Sequence, residues 1–212
     1  MTSQSNYFDE AASSWDAEPR RIELMRVIGE GILRQARPTP NDDVLDYGCG
    51  TGLVGLYLLP HVRSVTGADS SPGMLAVLQQ KIQAGGLRRM MTLLVDLERD
   101  PPPPRQFHLI VSSMVLHHVA DVSRLLVRFH ELLLPGGGLA LADLDSEPGV
   151  FHAPEVAPSV RHHGFDRAAL KAQLTSAGFT ELHDETAHVV RKPLPDGPIG
   201  EFPVFLITGR RT

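Results

Sequence analysis

The sequence holds one cysteine, Cys49, so no internal disulfide can form. That excludes a disulfide-held secreted scaffold and fits a reducing compartment, with the cytoplasm as the expectation. Long apolar runs are missing too. The stretches 53–59 and 139–142 fall far short of the roughly 20 residues a bilayer requires, so no membrane insertion is expected. Residues 1–18 carry acids and no apolar stretch, unlike a signal or transit peptide. Nor is there a surplus of positive charge. Twenty Lys and Arg face 25 Asp and Glu, for a net charge of −5, with the two signs interspersed. This balance excludes an electrostatic footprint for nucleic acid or anionic lipid and favours a small-molecule partner.

What is present suits one core. The chain has 212 residues, 42% of them apolar, and a single domain covering 1–212 is the expectation. Ile22, Met25, Ile28 and Ile32 recur at helical spacing within 19–35, predicting an amphipathic helix. Strand-like runs follow at 43–47, 64–68, 91–95, 107–112 and 139–142. Between them lie a helical stretch at 53–59 stopped near Pro60 and a second opened by Ser71-Pro72 and closed by Gly85-Gly86. A third presents Leu125, Leu126, Phe129, Leu132 and Leu133, ends at Pro135, and turns at Gly136-Gly137-Gly138. Prolines 101–104 form a stiff surface loop. Alternation of this kind implies parallel strands joined by right-handed crossovers.

A last helix takes Asp166 as its N-cap, Phe165 and Leu170 as a hydrophobic staple, and Gly178 as its stop, with Phe179 packing on Leu174. The runs 181–191 and 202–208 have no helix between them and should pair antiparallel at one sheet edge. The expected fold is α/β: a Rossmann-like, doubly wound, seven-stranded mixed sheet. It is mostly parallel with an antiparallel C-terminal strand, and helices cover both faces.

The run Val44-Leu45-Asp46-Tyr47-Gly48-Cys49-Gly50-Thr51-Gly52-Leu53-Val54-Gly55 passes from strand through turn to helix start. Backbone N–H groups and the helix dipole point outward there, so something polar binds. Gly50, Gly52 and Gly55 satisfy G-x-G-x-x-G, and Asp69 ends the next strand about 20 residues on, as in dinucleotide binders. Asp46 distinguishes the readings. Its carboxylate at the strand end would repel a pyrophosphate but favour a ligand ammonium in a lowered dielectric. S-adenosylmethionine has that ammonium and no phosphate.

VLDYGCGTG, followed in order by TGADSSPGML, VDLERD, FHLIVSSMVLHHV and LLLPGGGLALAD, resembles class I S-adenosylmethionine-dependent methyltransferases, in particular the small-molecule, ubiquinone-biosynthesis-like branch. The resemblance covers residues 6–209. It implies that Asp46 and the loop Gly48, Cys49, Gly50, Thr51 and Gly52 hold the methionine portion, and that Asp69 takes the ribose hydroxyls. Met74 would pack on the adenine, and Asp96 with the Leu97 backbone would read its amino edge. Ser70, Ser112, Ser113 and Trp15 complete the implied donor-binding set, with S-adenosylhomocysteine as the product left behind. Asp69 has a second reading as a cap for the helix near Pro72, Asp96 as a solvated loop carboxylate, and Met74 as core. The opening Phe8-Asp9-Glu10-Ala11-Ala12-Ser13-Ser14-Trp15-Asp16 is similar to the F-D-x-x-A-x-x-W-D start of such enzymes, whose helix folds over the donor as a lid, here residues 1–37. Trp15 could equally pack the following helix onto the domain.

Methyl transfer from a sulfonium is an in-line displacement, which asks for alignment and, for a protonated acceptor, a base. His117 and His118 follow the strand at 107–112 and stand at the carboxyl edge of the sheet. His152, His162 and His163 fall in the long loop 146–165, expected to form the acceptor side. His118, His117 and His163 are the candidate catalytic residues. No metal is expected, because neighbouring side chains rarely converge on one ion and no cysteine joins them. Ser112-Ser113-Met114-Val115 replaces the Asn/Asp-Pro-Pro-aromatic run of enzymes that methylate nucleobases, which also excludes that substrate. Two alternatives stay open: an NAD-dependent oxidoreductase, and a non-catalytic S-adenosylmethionine-binding protein.

Overall fold

The computed structural model describes residues 3–194 and 197–212. Met1 and Thr2, at the start of the expected lid, and Pro195 and Asp196 lie outside the described residues. β1 (Asp43–Tyr47) is buried along nearly its whole length because both its edges are paired in parallel, with β2 (Ser64–Asp69) and β4 (Phe107–Ser113). β3 (Met90–Leu94) extends the sheet beyond β2, and β5 (Leu133–Leu144) extends it beyond β4. β7 (Ile199–Arg211) lies antiparallel between β5 and β6 (Phe179–Pro193). The seven-stranded order is β3-β2-β1-β4-β5-β7-β6, as the expected mixed sheet requires. The strand order reverses at β1 and β4, and in such sheets a ligand crevice opens at that point, outside the carboxyl ends of the strands.

Helices cover both faces. Ile28 and Ile32 of α2 (Pro19–Gln35), Leu58 of α3 (Leu53–Leu58) and Leu78 of α4 (Pro72–Gly85) pack on Val44, Val65, Val111 and Leu206. On the other face, Leu126 and Phe129 of α5 (Val122–Leu132) and Leu174 of α6 (Arg167–Ser176) pack on Leu45, Ile110 and Phe205. Adjacent Val44 and Leu45 thus go to opposite layers, as the period of two demands. Each such buried side chain contributes roughly 1.5–3 kcal/mol of transfer free energy. α1 (Ser3–Ala11) leads the chain. No helix among the described residues is long and apolar enough to cross a membrane.

The punctuation is as expected. Ser71 Oγ accepts the Met74 N–H at 3.1 Å, and Gly86 stops α4 at φ +61°. Asp166 accepts the Ala169 N–H at 2.8 Å, and Gly178 turns left-handed after α6. Three details differ. The buried stripe of α2 is Leu24, Ile28 and Ile32, with Ile22 turned outward, because the helix offers the sheet an i, i+4, i+8 row. Leu133 caps α5 in extended geometry and opens β5, pairing with Phe107; Pro135 forbids helical geometry just before it. β3 begins one residue early and leaves Met91 and Leu94 exposed, since it is an edge strand.

Candidate active site

The turn after β1 is shaped by Gly48, Gly50 and Gly52, all with positive φ. At Gly48 a Cβ would also stand 2.2 Å from Val115 Cγ2, so only glycine serves. The Gly48 and Cys49 N–H groups donate to the Ala68 carbonyl at 2.7 and 3.0 Å, tying the turn to β2. Asp69, at the end of β2, accepts the Gly50 N–H at 2.7 Å and the Ser71 N–H at 2.9 Å. The α4 cap is therefore Ser71, and Asp69 instead braces the glycine turn. Burial raises the Asp69 carboxyl above the usual carboxylate range, against its backbone hydrogen bonds. Asp46 is buried and accepts the Gly55 N–H at 2.9 Å. Burial, with the charge of Asp69 adding, pushes it up to about 7.

This turn borders a cavity of about 790 Å³. Asp46, Gly48, Cys49, Gly50, Thr51, Asp69, Ser70, Met74, Asp96, Ser113 and Trp15 line it, as do His117 and His118. Gly52 does not; it sits beneath, where a Cβ would strike Leu78. Leu97 is also outside the lining, because its N–H donates to the Tyr47 hydroxyl at 3.3 Å. Ser112 is turned away to the Tyr47 carbonyl, at 2.9 Å. Asp96 lines the cavity while accepting the Glu98 N–H at 3.0 Å, with Arg99 at 3.5 Å.

Two features fit the chain to a small polar donor. Among the described residues the buried Ser113 Oγ has no hydrogen-bond partner, although its residue lines the cavity. Among the described residues a Cβ at Gly50 would meet only Met74 Sδ, at 3.9 Å, so the turn leaves room beside Asp69.

The N-terminal segment docks on the same turn. Asp9 accepts the Ser71 hydroxyl at 2.6 Å and the Gly73 N–H at 2.8 Å. Asp16 accepts the Thr51 hydroxyl at 2.6 Å and pairs with Lys81 at 2.5 Å, while Lys81 also donates to the Thr51 carbonyl. Trp15 faces the cavity and carries the Arg21 guanidinium on its ring at 3.8 Å, so it both lines the site and packs against α2. The roles of Asp9 and Asp16 were not foreseen from the sequence, although both acids stand in the F-D…W-D run.

The opposite wall is made of histidines. Residues 116–118 form a single 3-10 turn that brings the His117 and His118 rings to 4.1 Å. His117 Nδ1 lies 2.7 Å from Asp143 Oδ1, and both side chains are buried. Burial raises the Asp143 carboxyl, but His117 and the backbone N–H donors outweigh it and hold the group below its usual range. His118 Nδ1 meets the Ser159 carbonyl at 3.1 Å. From the loop 146–165, His152 places Nε2 at 3.1 Å from His117 Nε2. Burial lowers His118 to about 4 and His152 to about 3, with His117 adding to both.

The loop reaches across because its ends are clipped: Asp145 bridges Phe165, Ser146 N–H donates to the Phe165 carbonyl, and Glu147 N–H donates to the His163 carbonyl. That clip leaves His163 62% exposed beside Glu147 and away from the cavity, so this candidate is not brought to the site. His162 turns to the Val119 carbonyl. His152 takes the place expected of His163. One ring nitrogen each of His117, His118 and His152 lies within 4.8 Å of the others.

Comparison with known proteins gives the frame. Residues 44–137 match the family described as methyltransferase domain. An uncharacterised methyltransferase of Schizosaccharomyces pombe is 33% identical over 133 residues, 57% of this chain and 47% of that one. A malonyl-[acyl-carrier protein] O-methyltransferase of Serratia marcescens is 32% identical over 137 residues, 65% of this chain and 51% of that one. The chain thus spans about half the length of these curated relatives. Among solved structures, DhpI in complex with S-adenosylhomocysteine superposes with a TM-score of 0.70 at 22% identity, covering 97% of this chain and 94% of that one, a likeness of fold. The family match decides between the two readings of the glycine turn in favour of the methyl donor. Residues 44–137 thus resemble a methyltransferase domain, and these likenesses support a class I S-adenosylmethionine-dependent methyltransferase.

Proposed function

We propose that the protein transfers a methyl group to a small-molecule acceptor carrying an anionic group. The observation that carries this reading is one cavity with two unlike ends: the glycine turn with Asp46 and Asp69, and the wall of His117, His118 and His152. Bound S-adenosylmethionine supplies an electrophilic methyl group for in-line displacement. The chain's own part is to hold the donor on Asp69 and the turn, to cover it with the segment around Trp15, and to align the acceptor against the histidines.

The anionic preference rests on Lys192, a half-buried cavity residue. Its ammonium contacts the Phe151 carbonyl and lies over the Phe151 ring, and among the described residues no carboxylate pairs with it. The Serratia relative's name, an O-methyltransferase of a malonyl group, is in keeping with a carboxylate acceptor. Net charge of −5 argues against nucleic acid, and the single cysteine, buried at Cys49, suits the cytoplasm.

The test is release of S-adenosylhomocysteine from S-adenosylmethionine with panels of small carboxylic acids, phenols and amines. Turnover with carboxylates, lost on Lys192→Ala, supports the reading. Turnover with amines alone overturns the anionic preference, and donor binding without turnover in any panel favours the non-catalytic alternative.

A further inference from the structure

We propose that His117, His118 and His152 bind a divalent transition-metal ion of the imidazole-preferring class, such as zinc or cobalt, at the acceptor end of the cavity. Three observations carry it. The first is spacing. His117 Nε2 and His152 Nε2 stand 3.1 Å apart. Two imidazole nitrogens that each bond one ion at about 2.0–2.1 Å are separated by roughly 2.9–3.4 Å for angles between square and tetrahedral. A nitrogen of His118 lies within 4.8 Å of the other two, so its ring must move closer for it to join them on one ion.

The second is tautomer. Asp143, an acceptor, takes the proton of His117 Nδ1, so the lone pair of His117 lies on Nε2, toward His152. His118 Nδ1 has the Ser159 carbonyl at 3.1 Å and the Ser159 hydroxyl at 3.2 Å, and when the ring donates to that carbonyl its lone pair lies on Nε2. A carboxylate and a backbone carbonyl on the far nitrogens are the outer contacts that orient metal-bound histidines.

The third is access. All three residues line the cavity, so an ion held by three protein nitrogens would keep a position open toward it, the arrangement of catalytic rather than structural sites. The binding of the ion stands independently of methyl transfer; its use in holding an acceptor oxygen rests on the function proposed above.

The test uses tag-free full-length protein stripped with chelator, titrated calorimetrically with zinc chloride and, separately, with cobalt(II) chloride followed by visible absorption. One equivalent should bind with a dissociation constant of micromolar or below, and cobalt should give the intense bands of a four- or five-coordinate site. His152→Ala, in a loop rather than the core, should weaken binding at least thirtyfold with an unchanged circular dichroism spectrum. His163→Ala, 62% exposed and off the cluster, should bind like the parent. Absence of stoichiometric binding, or binding indifferent to His152→Ala, overturns the proposal. S-adenosylhomocysteine is titrated in parallel: its failure to bind while zinc binds would count against the proposed function and not against the metal site.

Discussion

Asp16 Oδ1 accepts a hydrogen bond from the Thr51 hydroxyl at 2.6 Å, which fastens the N-terminal segment to the glycine turn from 35 residues away. Lys81 braces the same pair from α4. The contact ties a covering element to the loop that would hold the donor, so it bears on donor retention more than on the fold.

Asp16→Ala should therefore weaken S-adenosylhomocysteine binding about tenfold, mostly through faster dissociation, while costing about 1 kcal/mol of stability, the scale of one partly exposed hydrogen bond. Stopped-flow displacement and urea unfolding of the same variant measure the two effects. A larger loss of stability than of affinity would make the segment structural instead of a cover.

Asp46 gives a prediction in pH. Its carboxyl is pushed up to about 7 by burial in the folded chain, against roughly 3.9 when unfolded. Between these values the folded state holds a proton that the unfolded state has lost, so the Asp46 contribution falls as pH rises from about 4 to 7 and is level above. Asp46→Asn, whose amide oxygen can still accept from Gly55, should remove up to about 1.4 kcal/mol per pH unit of that slope. Urea midpoints at pH 5, 6, 7 and 8 for both proteins check it. Parallel curves would contradict the raised carboxyl.

Two left-handed glycines separate backbone strain from crowding. Gly86 has φ +61° and, among the described residues, nothing within 4 Å of an added Cβ, so Gly86→Ala should cost about 1 kcal/mol of left-handed strain alone. Gly52 has φ +84° and would drive its Cβ to 2.4 Å from Leu78 Cδ1. Gly52→Ala should cost roughly 3 kcal/mol or more, since crowding of a packed core adds to the strain. Equal urea midpoints for the two variants would mean that the turn relaxes freely around Leu78.

The sheet was legible because its signals are local. Ser71-Pro72 and Asp166 start helices by satisfying N–H groups within three residues, and the alternation of strand and helix needs no long-range knowledge. The gathering of Asp46, the turn and Asp69 at one cavity was legible for the same reason: their places at strand ends fix it. The losses came where side-chain direction decides. Leu97 and Ser112 sit at the right points in the chain, but both bond to Tyr47, one to its hydroxyl and one to its carbonyl. His152 against His163 turned on how residues 146–165 fold back, set by the Asp145–Phe165 bridge and by Glu147, which accepts the N–H groups of Gly149, Val150 and Phe151. No periodicity encodes that path. Asp143 was invisible as a partner of His117 because it lies 26 residues away, inside an apolar strand.

The most direct measurement is calorimetric titration of the purified protein with S-adenosylhomocysteine, with NADH in a parallel cell, repeated on Asp69→Ala. S-adenosylhomocysteine should bind one to one, at least thirtyfold more weakly in the variant because both the brace on Gly50 and the carboxylate facing the cavity are lost, and NADH should give no heat. Binding of NADH in place of S-adenosylhomocysteine, or affinity unchanged by Asp69→Ala, would contradict it.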